Sequence, residues 1–109
     1  MQMTDMPLDT IDWSAVERIA HAGETGTAFW RTRHCGDIRV RMVEYTPGYL
    51  ADHWCAKGHI LLCLAGELRT EFQDGRVFVL TPGMSYHAAD DAAPHRSSTD
   101  GGASLFIVD

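Results

Sequence analysis

Short segments that alternate apolar and polar residues, separated by turn residues, constrain the fold of this chain most strongly. Residues 37–42 alternate without interruption, with the apolar side chains on one face of the expected strand and Arg39 and Arg41 on the other. Asp74-Gly75 lies between two strand-like runs, and this dipeptide favours a tight hairpin turn in which both residues take positive φ. Many short strands with regular turns predict an all-β sandwich or barrel.

The remaining segments support the same fold class. Residues 26–33 are rich in β-formers and end at a turn, so they are expected to pair with residues 37–42 as a hairpin. Residues 59–65 are apolar on both faces, which indicates a strand covered by a facing sheet on one side and by another subunit on the other. Residues 103–108 are predicted to form a closing strand.

The N-terminal segment, residues 1–26, is expected to add a strand or a short helix to a barrel formed by residues 27–109. Residues 14–17 resemble a capping box, which favours a helix. The alternation of Val16, Arg18 and Ala20 favours a strand, and a strand is the interpretation adopted here.

Length and charge exclude several classes of function. The chain has 109 residues, which is room for one domain, and a formal net charge of −6. A chain this acidic is a poor partner for nucleic acid or for an anionic membrane. No apolar run reaches the roughly 18 residues that span a bilayer, and the first residues lack the features of a secretory signal. We therefore expect a cytoplasmic protein, in which a disulfide framework from three cysteines is improbable.

Three residues that can bind a metal ion occur within a short stretch. His53 and Cys55 are two residues apart, so on a strand their side chains share a face. Lys57-Gly58 permits a turn, after which His59 opens the next strand. Imidazole and thiolate suit zinc, iron, nickel or copper better than magnesium or calcium. The alternative is that these are structural or surface residues that bind nothing.

This stretch resembles the first sequence motif of the cupins. The matching frame consists of Gly48, His53, Cys55, His59 and Gly66. Cys55 stands where the family usually has a second histidine, and His59 stands where it usually has a glutamate. The stretch 52–55 is similar to a subset of small bacterial cupins of unassigned activity.

A weaker resemblance to the second cupin motif begins at Gly83 and ends near His95. Only His95 is carried over from it as a metal ligand. Pro82 and His87 show the same proline-to-histidine interval, so His87 is the rival for the fourth ligand position.

The resemblance implies a single-domain double-stranded β-helix, or jelly-roll barrel, with a metal ion in its mouth and a tendency to form homodimers. The implied ligand set is His53, Cys55, His59 and His95, binding one divalent transition metal, with zinc the first choice and iron the second. The implied function is metal binding together with binding of, or action on, a small organic molecule. The alternative is a non-catalytic sensor or structural module, and the sequence assigns neither catalytic residues nor an organic cofactor.

Several other residues can shape the pocket. Tyr45, Tyr49 and Tyr86 can donate hydrogen bonds to a ligand. The arginines of residues 37–42 either hold a carboxylate or lie on a solvated face. If Leu61 shares the face of His59, the lumen near the metal is apolar.

Two further expectations concern neighbours of the motif and an apolar face. Asp52 either orients a ligand imidazole or is simply solvated. Trp54, opposite His53 and Cys55, is expected in the core or an interface. The apolar face formed by Ile60, Leu62 and Leu64 predicts the homodimer contact.

Overall fold

The computed structural model describes residues 3–109, so residues 1 and 2 of the predicted N-terminal segment lie outside the described residues. Within this range a 3-10 turn, Trp13–Ala15, precedes nine strands. The strands are β1 (Ile19–Ala22), β2 (Thr27–Cys35), β3 (Ile38–Tyr45), β4 (His59–Gly66), β5 (Leu68–Phe72), β6 (Val77–Leu80), β7 (Ser85–Ala88), β8 (His95–Ser98) and β9 (Ala103–Val108). In this range no helix is both long and apolar enough to cross a membrane.

Two antiparallel sheets enclose the core. The larger sheet has the order β1-β2-β3-β9-β4-β7, and the smaller has the order β6-β5-β8. Fully buried side chains come from both sheets, with Val43, Cys63 and Leu105 from the larger and Leu68 and Thr70 from the smaller. The predicted all-β architecture is confirmed, and the closing strand β9 lies between β3 and β4.

Both predicted hairpins are present. Strands β2 and β3 pair from Ala28 opposite Tyr45 to Cys35 opposite Ile38. Strands β5 and β6 also pair, but only Gly75 takes positive φ, at 94°, so the prediction for Asp74 is wrong. The Asp74 carboxylate accepts hydrogen bonds from the backbone N–H and the guanidinium of Arg76, and these bonds stabilise a wider loop.

The inward face of β3 carries Arg39 and Arg41, whereas Ile38, Val40 and Met42 lie on the opposite face. Arg41 is 8% exposed and lies on the same face as fully buried Val43. The solvated-face alternative is therefore wrong for Arg41. Met42, on the opposite face, borders the N-terminal segment, which covers part of the outer surface of the sheet. This cover allows apolar side chains to point outward.

The N-terminal segment contains both a turn and a strand. The side chain of Asp12, not Ser14, caps the 3-10 turn by accepting the Ser14 N–H at 3.1 Å. The strand occupies only Ile19–Ala22, paired with β2. On the outer face of the sheet, the Arg31 guanidinium donates to the carbonyl oxygens of Trp13 and Val16 at 2.8 and 2.9 Å, which fixes the segment there.

The stretch that carries His53 and Cys55 is a loop and not a strand, so strand alternation does not explain why both side chains line one cavity. Cys55 makes a single antiparallel bridge with His95 through two backbone hydrogen bonds of 2.8 and 2.9 Å. The loop passes close to residues 89–91, where the Gly58 N–H donates to the Asp90 carboxylate at 2.7 Å. A side chain at Gly58 would overlap the backbone of residues 88–90, so glycine permits this approach.

Candidate functional site

A cavity of about 300 Å³ lies against the inner face of the larger sheet and is bordered by the loop of residues 51–58. All four residues predicted as metal ligands line it, namely His53, Cys55, His59 and His95. Long-range pairing brings these residues together, because His95 forms a bridge with Cys55 and pairs with Phe72 of β5. A volume of this size is at the lower end of the range for small-molecule sites.

His59 and His95 lie side by side, with ring centroids 4.7 Å apart. The Nδ1 atom of His59 is 3.1 Å from the carbonyl oxygen of Lys57, and the Nδ1 atom of His95 is 3.2 Å from that of Ala93. A carbonyl oxygen can only accept, so each Nδ1 donates a hydrogen bond to its carbonyl partner, and in the neutral ring of His59 the lone pair therefore lies on Nε2.

The Nε2 atom of His59 already has a partner. It lies 2.7 Å from the hydroxyl of Tyr86, which must donate because Nε2 bears the lone pair. Burial lowers the pKa of His59, and burial raises the pKa of Tyr86 to about 12. Both groups are therefore neutral near pH 7, as this hydrogen bond requires.

His53 lies at the mouth of the cavity. Its Nδ1 is 2.6 Å from the Asp52 carboxylate, so the orienting role considered for Asp52 has a contact to support it. Both side chains are largely exposed. The hydrogen bond from His53 lowers the pKa of Asp52, which keeps this carboxylate charged.

The structure separates the two histidines that compete for the fourth ligand position. His95 is buried and lines the cavity, whereas His87 is exposed on β7 and does not. Tyr86, the neighbour of His87 on the same strand, points inward instead, because successive side chains of a strand alternate between faces.

The donor set fits a transition metal in chemistry but not in spacing. Imidazole and thiolate are suitable donors, and three histidines use Nδ1 for an oxygen partner, as ligand histidines commonly do. Among residues 3–109, however, no three His, Cys, Asp or Glu side chains are placed so that they could hold one ion. A shared ion would require His59 to leave Tyr86, so metal binding stays a prediction.

Arg39, Arg41 and Asp109 form a charged cluster in the cavity wall. Arg39 donates to both Asp109 carboxylate oxygens, at 2.8 and 2.7 Å, and Arg41 donates to one of them at 3.0 Å. Burial alone would raise the pKa of Asp109, but the hydrogen bonds from Arg39 and the charges of both arginines lower it overall. The carboxylate that the arginines hold thus belongs to the protein itself.

The cavity wall is more polar than predicted. Leu61 and His59 both face the cavity, as predicted, and Tyr45, Tyr49 and the charged cluster add polar groups to the wall. The rings of Tyr45 and Tyr49 stack with centroids 4.2 Å apart. Trp30 closes the wall beside Arg41, whose guanidinium carbon lies 4.3 Å from the ring centroid.

Sequence reasoning missed Asp109, Trp30 and Arg96 as residues of the cavity. Asp109 follows the alternation of the closing strand, since Leu105, Ile107 and Asp109 share one parity and the first two are buried. That signal was present in the sequence. Nothing in the sequence near Arg96 indicated that it would lie against Trp54, with its guanidinium carbon 4.8 Å from the ring centroid.

Comparison with known proteins identifies the fold. No protein-family model and no curated protein matches the sequence. The structure is similar to a cupin-like protein of Thermotoga maritima, with 17% identity, a TM-score of 0.71, and coverage of 86% of this chain and 78% of that one. It is also similar to ectoine synthase of P. lautus, with 16% identity, a TM-score of 0.74, and coverage of 93% and 76%.

An RmlC-like cupin of Shewanella frigidimarina matches over nearly its full length. Its TM-score is 0.73 at 15% identity, and the match covers 96% of this chain and 92% of that one. Identities this low show the fold and not the activity. The chain therefore has the cupin fold, a jelly-roll barrel of antiparallel strands.

Proposed function

We propose that this protein binds a small organic molecule in the cavity of its barrel. The observation that carries the proposal is the convergence of polar side chains from distant parts of the chain on one concave site. His59, Tyr86 and His95 come from three different strands and meet there, while Leu61 and Ile107 supply apolar wall. A largely preformed pocket with a few convergent polar groups is typical of small-molecule sites.

The same residues can handle a proton. The His95 ring uses Nδ1 for the carbonyl oxygen of Ala93, which leaves Nε2 for a bound molecule, and the pair formed by Tyr86 and His59 can donate or accept a proton there. We propose proton transfer as the chemistry of this site. The second candidate is a non-catalytic sensor or structural module, which the hydrogen bond between His59 and Tyr86 favours because each group already occupies the other.

A matched pair of histidine variants tests ligand binding. A library of small neutral, anionic and cationic compounds is screened by protein NMR against the wild type, His95→Ala and His87→Ala. We expect hits whose chemical-shift changes cluster at the cavity, with affinity lowered by His95→Ala and unchanged by His87→Ala. If every compound binds elsewhere, or if the two variants behave alike, the proposal is wrong.

A metal ion is the second proposal for the same cavity, with zinc first and iron second. The hydrogen bonds of Nδ1 in His53 and His95 support it, because they leave Nε2 for an ion, whereas the Nε2 of His59 would first have to leave Tyr86. Calorimetric titration with zinc and with iron(II) tests it, using the same two histidine variants. We expect one ion per chain in the wild type and in His87→Ala, and much weaker binding in His95→Ala. Absence of binding to the wild type would remove the metal from the proposal.

We also propose that two copies pair through the outer face of β4. Ile60 and Leu64 are 48% and 41% exposed there, which is unusual for apolar residues at the middle of a sheet. Light scattering of the wild type and of Ile60→Glu tests this. We expect a dimer that Ile60→Glu converts to a monomer, and a wild-type monomer at high concentration would contradict it.

A further inference from the structure

The cavity concentrates positive charge in an acidic protein. Four cationic side chains line it, namely Arg39, Arg41, Lys57 and Arg96, against a single carboxylate from Asp109. The chain as a whole has a formal net charge of −6. A cleft lined by one sign of charge raises the local concentration of ligands of the opposite sign.

The Asp109 carboxylate makes more hydrogen bonds with Arg39 than with Arg41. Asp109 is 3% exposed and binds Arg39 through both oxygens, so this pair is complete. Arg41 receives only a share of one oxygen, at 3.0 Å. Two guanidinium groups thus face one negative charge, and the excess positive charge lies on the more deeply buried of the two.

Arg41 also has an unused donor. Its Nε atom is buried and has no hydrogen-bond partner among the described residues. A buried N–H without an acceptor is costly, and it is more so on a charged group. Burial lowers the pKa of Arg41 because the charged form is poorly solvated there. An anion in the cavity would offset the charge of the Arg41 guanidinium through its Nη groups, although the Nε atom is too deeply buried to be reached.

The other two cationic side chains of the cavity either have acidic partners or are exposed to solvent. Arg96 has Glu71 and Glu24 at 3.5 and 3.8 Å, and its guanidinium lies over Trp54. Lys57 is exposed. The Nε atom of Arg96 is also buried without a hydrogen-bond partner in the described part of the chain, but Arg96 has two carboxylates near it, whereas Arg41 shares one carboxylate with Arg39. Arg41 is therefore the cation of the cavity with the least compensated charge.

We propose that the molecule bound in the cavity is a small organic carboxylate, whose carboxylate group accepts hydrogen bonds from Arg41. This inference rests on the proposed function, because it names the class of molecule that the cavity takes. A monoanion matches one uncompensated guanidinium, and a planar carboxylate in the cavity can accept hydrogen bonds from the Nη groups of Arg41. The apolar part of the ligand packs against Leu61, Ile107 and the stacked pair Tyr45 and Tyr49.

The test compares benzoate with benzamide, which has nearly the same shape and no charge. Binding is measured by protein NMR and calorimetry in the wild type, Arg41→Gln and Arg76→Gln. Arg76 is a matched control, because it also pairs with an aspartate but lies in an exposed loop. We expect benzoate to bind in the cavity and benzamide to bind at least tenfold more weakly, roughly the difference that a charge-assisted bond makes.

The affinity of each variant for benzoate should follow the change in charge at Arg41. Arg41→Gln should weaken benzoate binding by about 30-fold or more, as loss of a buried charged partner does, while Arg76→Gln should have no effect. Asp109→Asn should strengthen it by about tenfold or more, because two carboxylates at one guanidinium repel each other. This gain keeps the test decisive if Arg41→Gln does not fold.

Three results would overturn the inference. One is equal binding of benzamide and benzoate, and another is benzoate binding that survives Arg41→Gln. The third is that none of the carboxylates benzoate, phenylacetate and formate binds. This result counts against the inference whether inorganic phosphate binds in the cavity or no anion binds there. Neutral compounds that still bind in the cavity would leave the proposed function intact, whereas a cavity that binds no compound would end both proposals.

Discussion

Two arginine–aspartate pairs in this molecule have nearly the same bond lengths and very different surroundings. In the loop between β5 and β6, Arg76 donates to one oxygen of Asp74 through Nε and Nη2, at 2.9 and 2.6 Å. In the cavity, Arg39 donates to both oxygens of Asp109 at 2.8 and 2.7 Å. The Asp74 side chain is 44% exposed, whereas that of Asp109 is 3% exposed.

The comparison shows that burial, not bond length, decides what such a pair does. The pKa of both aspartates is lowered. For Asp74 the hydrogen bonds from Arg76 cause this, with only a small opposing effect of burial. For Asp109 burial is the largest influence and raises the pKa, and two arginines are needed to overcome it. The exposed pair can exchange its bonds for water, and the buried cluster cannot.

Asp109→Asn should therefore have the largest effect on stability. The change leaves two arginines in the cavity wall without a countercharge, and breaking a buried pair in this way costs about 3 kcal/mol. Urea unfolding followed by circular dichroism measures the free energy of unfolding, with Asp74→Asn as the matched control. A loss equal to that of the control would mean that the cavity cluster is solvated like the loop pair.

Acid should remove the stabilisation that the charged form of Asp109 contributes to the folded protein. The pKa of Asp109 in the folded protein lies below its ordinary value of 3.8, so its contribution is present above that pH and is lost as the pH falls through the lowered value. The difference in unfolding free energy between the wild type and Asp109→Asn should be constant near neutral pH and should shrink below pH 3.8. Unfolding curves over this range measure it, and a difference independent of pH would contradict the assignment.

Arg39→Lys should have an intermediate effect on the free energy of unfolding. It keeps the positive charge but removes the guanidinium, which binds both carboxylate oxygens of Asp109 at once. A lysine cannot bind both oxygens of Asp109 in the geometry of a guanidinium. We expect a loss of about 1 kcal/mol, close to the value of one hydrogen bond. The same urea experiment measures it, with Arg76→Lys as the control. A loss as large as that of Asp109→Asn would show that the geometry of the guanidinium matters more than its charge.

The fold was predictable from the sequence where the pattern that defines a strand or hairpin lies within one short stretch of the chain. The two hairpins and the closing strand follow from alternation and turn residues within about 20 positions of one another. The sequence left open which face of β3 points inward, and the solvated-face alternative proved wrong for Arg41. Alternation states which side chains share a face but not which face is inward, and the N-terminal segment that covers Met42 decides that here.

The site was only partly predictable for a related reason. The spacing of His53, Cys55 and His59 placed them correctly around one cavity, because all three lie on one short stretch of chain. The spacing could not show that Tyr86 would bind the Nε2 of His59, since this contact joins residues 27 positions apart. Asp109 is 70 positions from Arg39, so its pairing depends on the order of strands in the sheet.

Asp74→Asn and Arg76→Gln should have the smallest effects and complete the comparison. Solvent can replace the exposed pair, and an asparagine carbonyl can still accept the backbone N–H of Arg76 that Asp74 accepts at 3.0 Å. We expect thermal midpoints within about 2 °C of the wild type for both variants, measured by circular dichroism. A shift as large as that of Asp109→Asn would mean that the loop pair holds the hairpin closed, and burial would then no longer explain the difference between the two clusters.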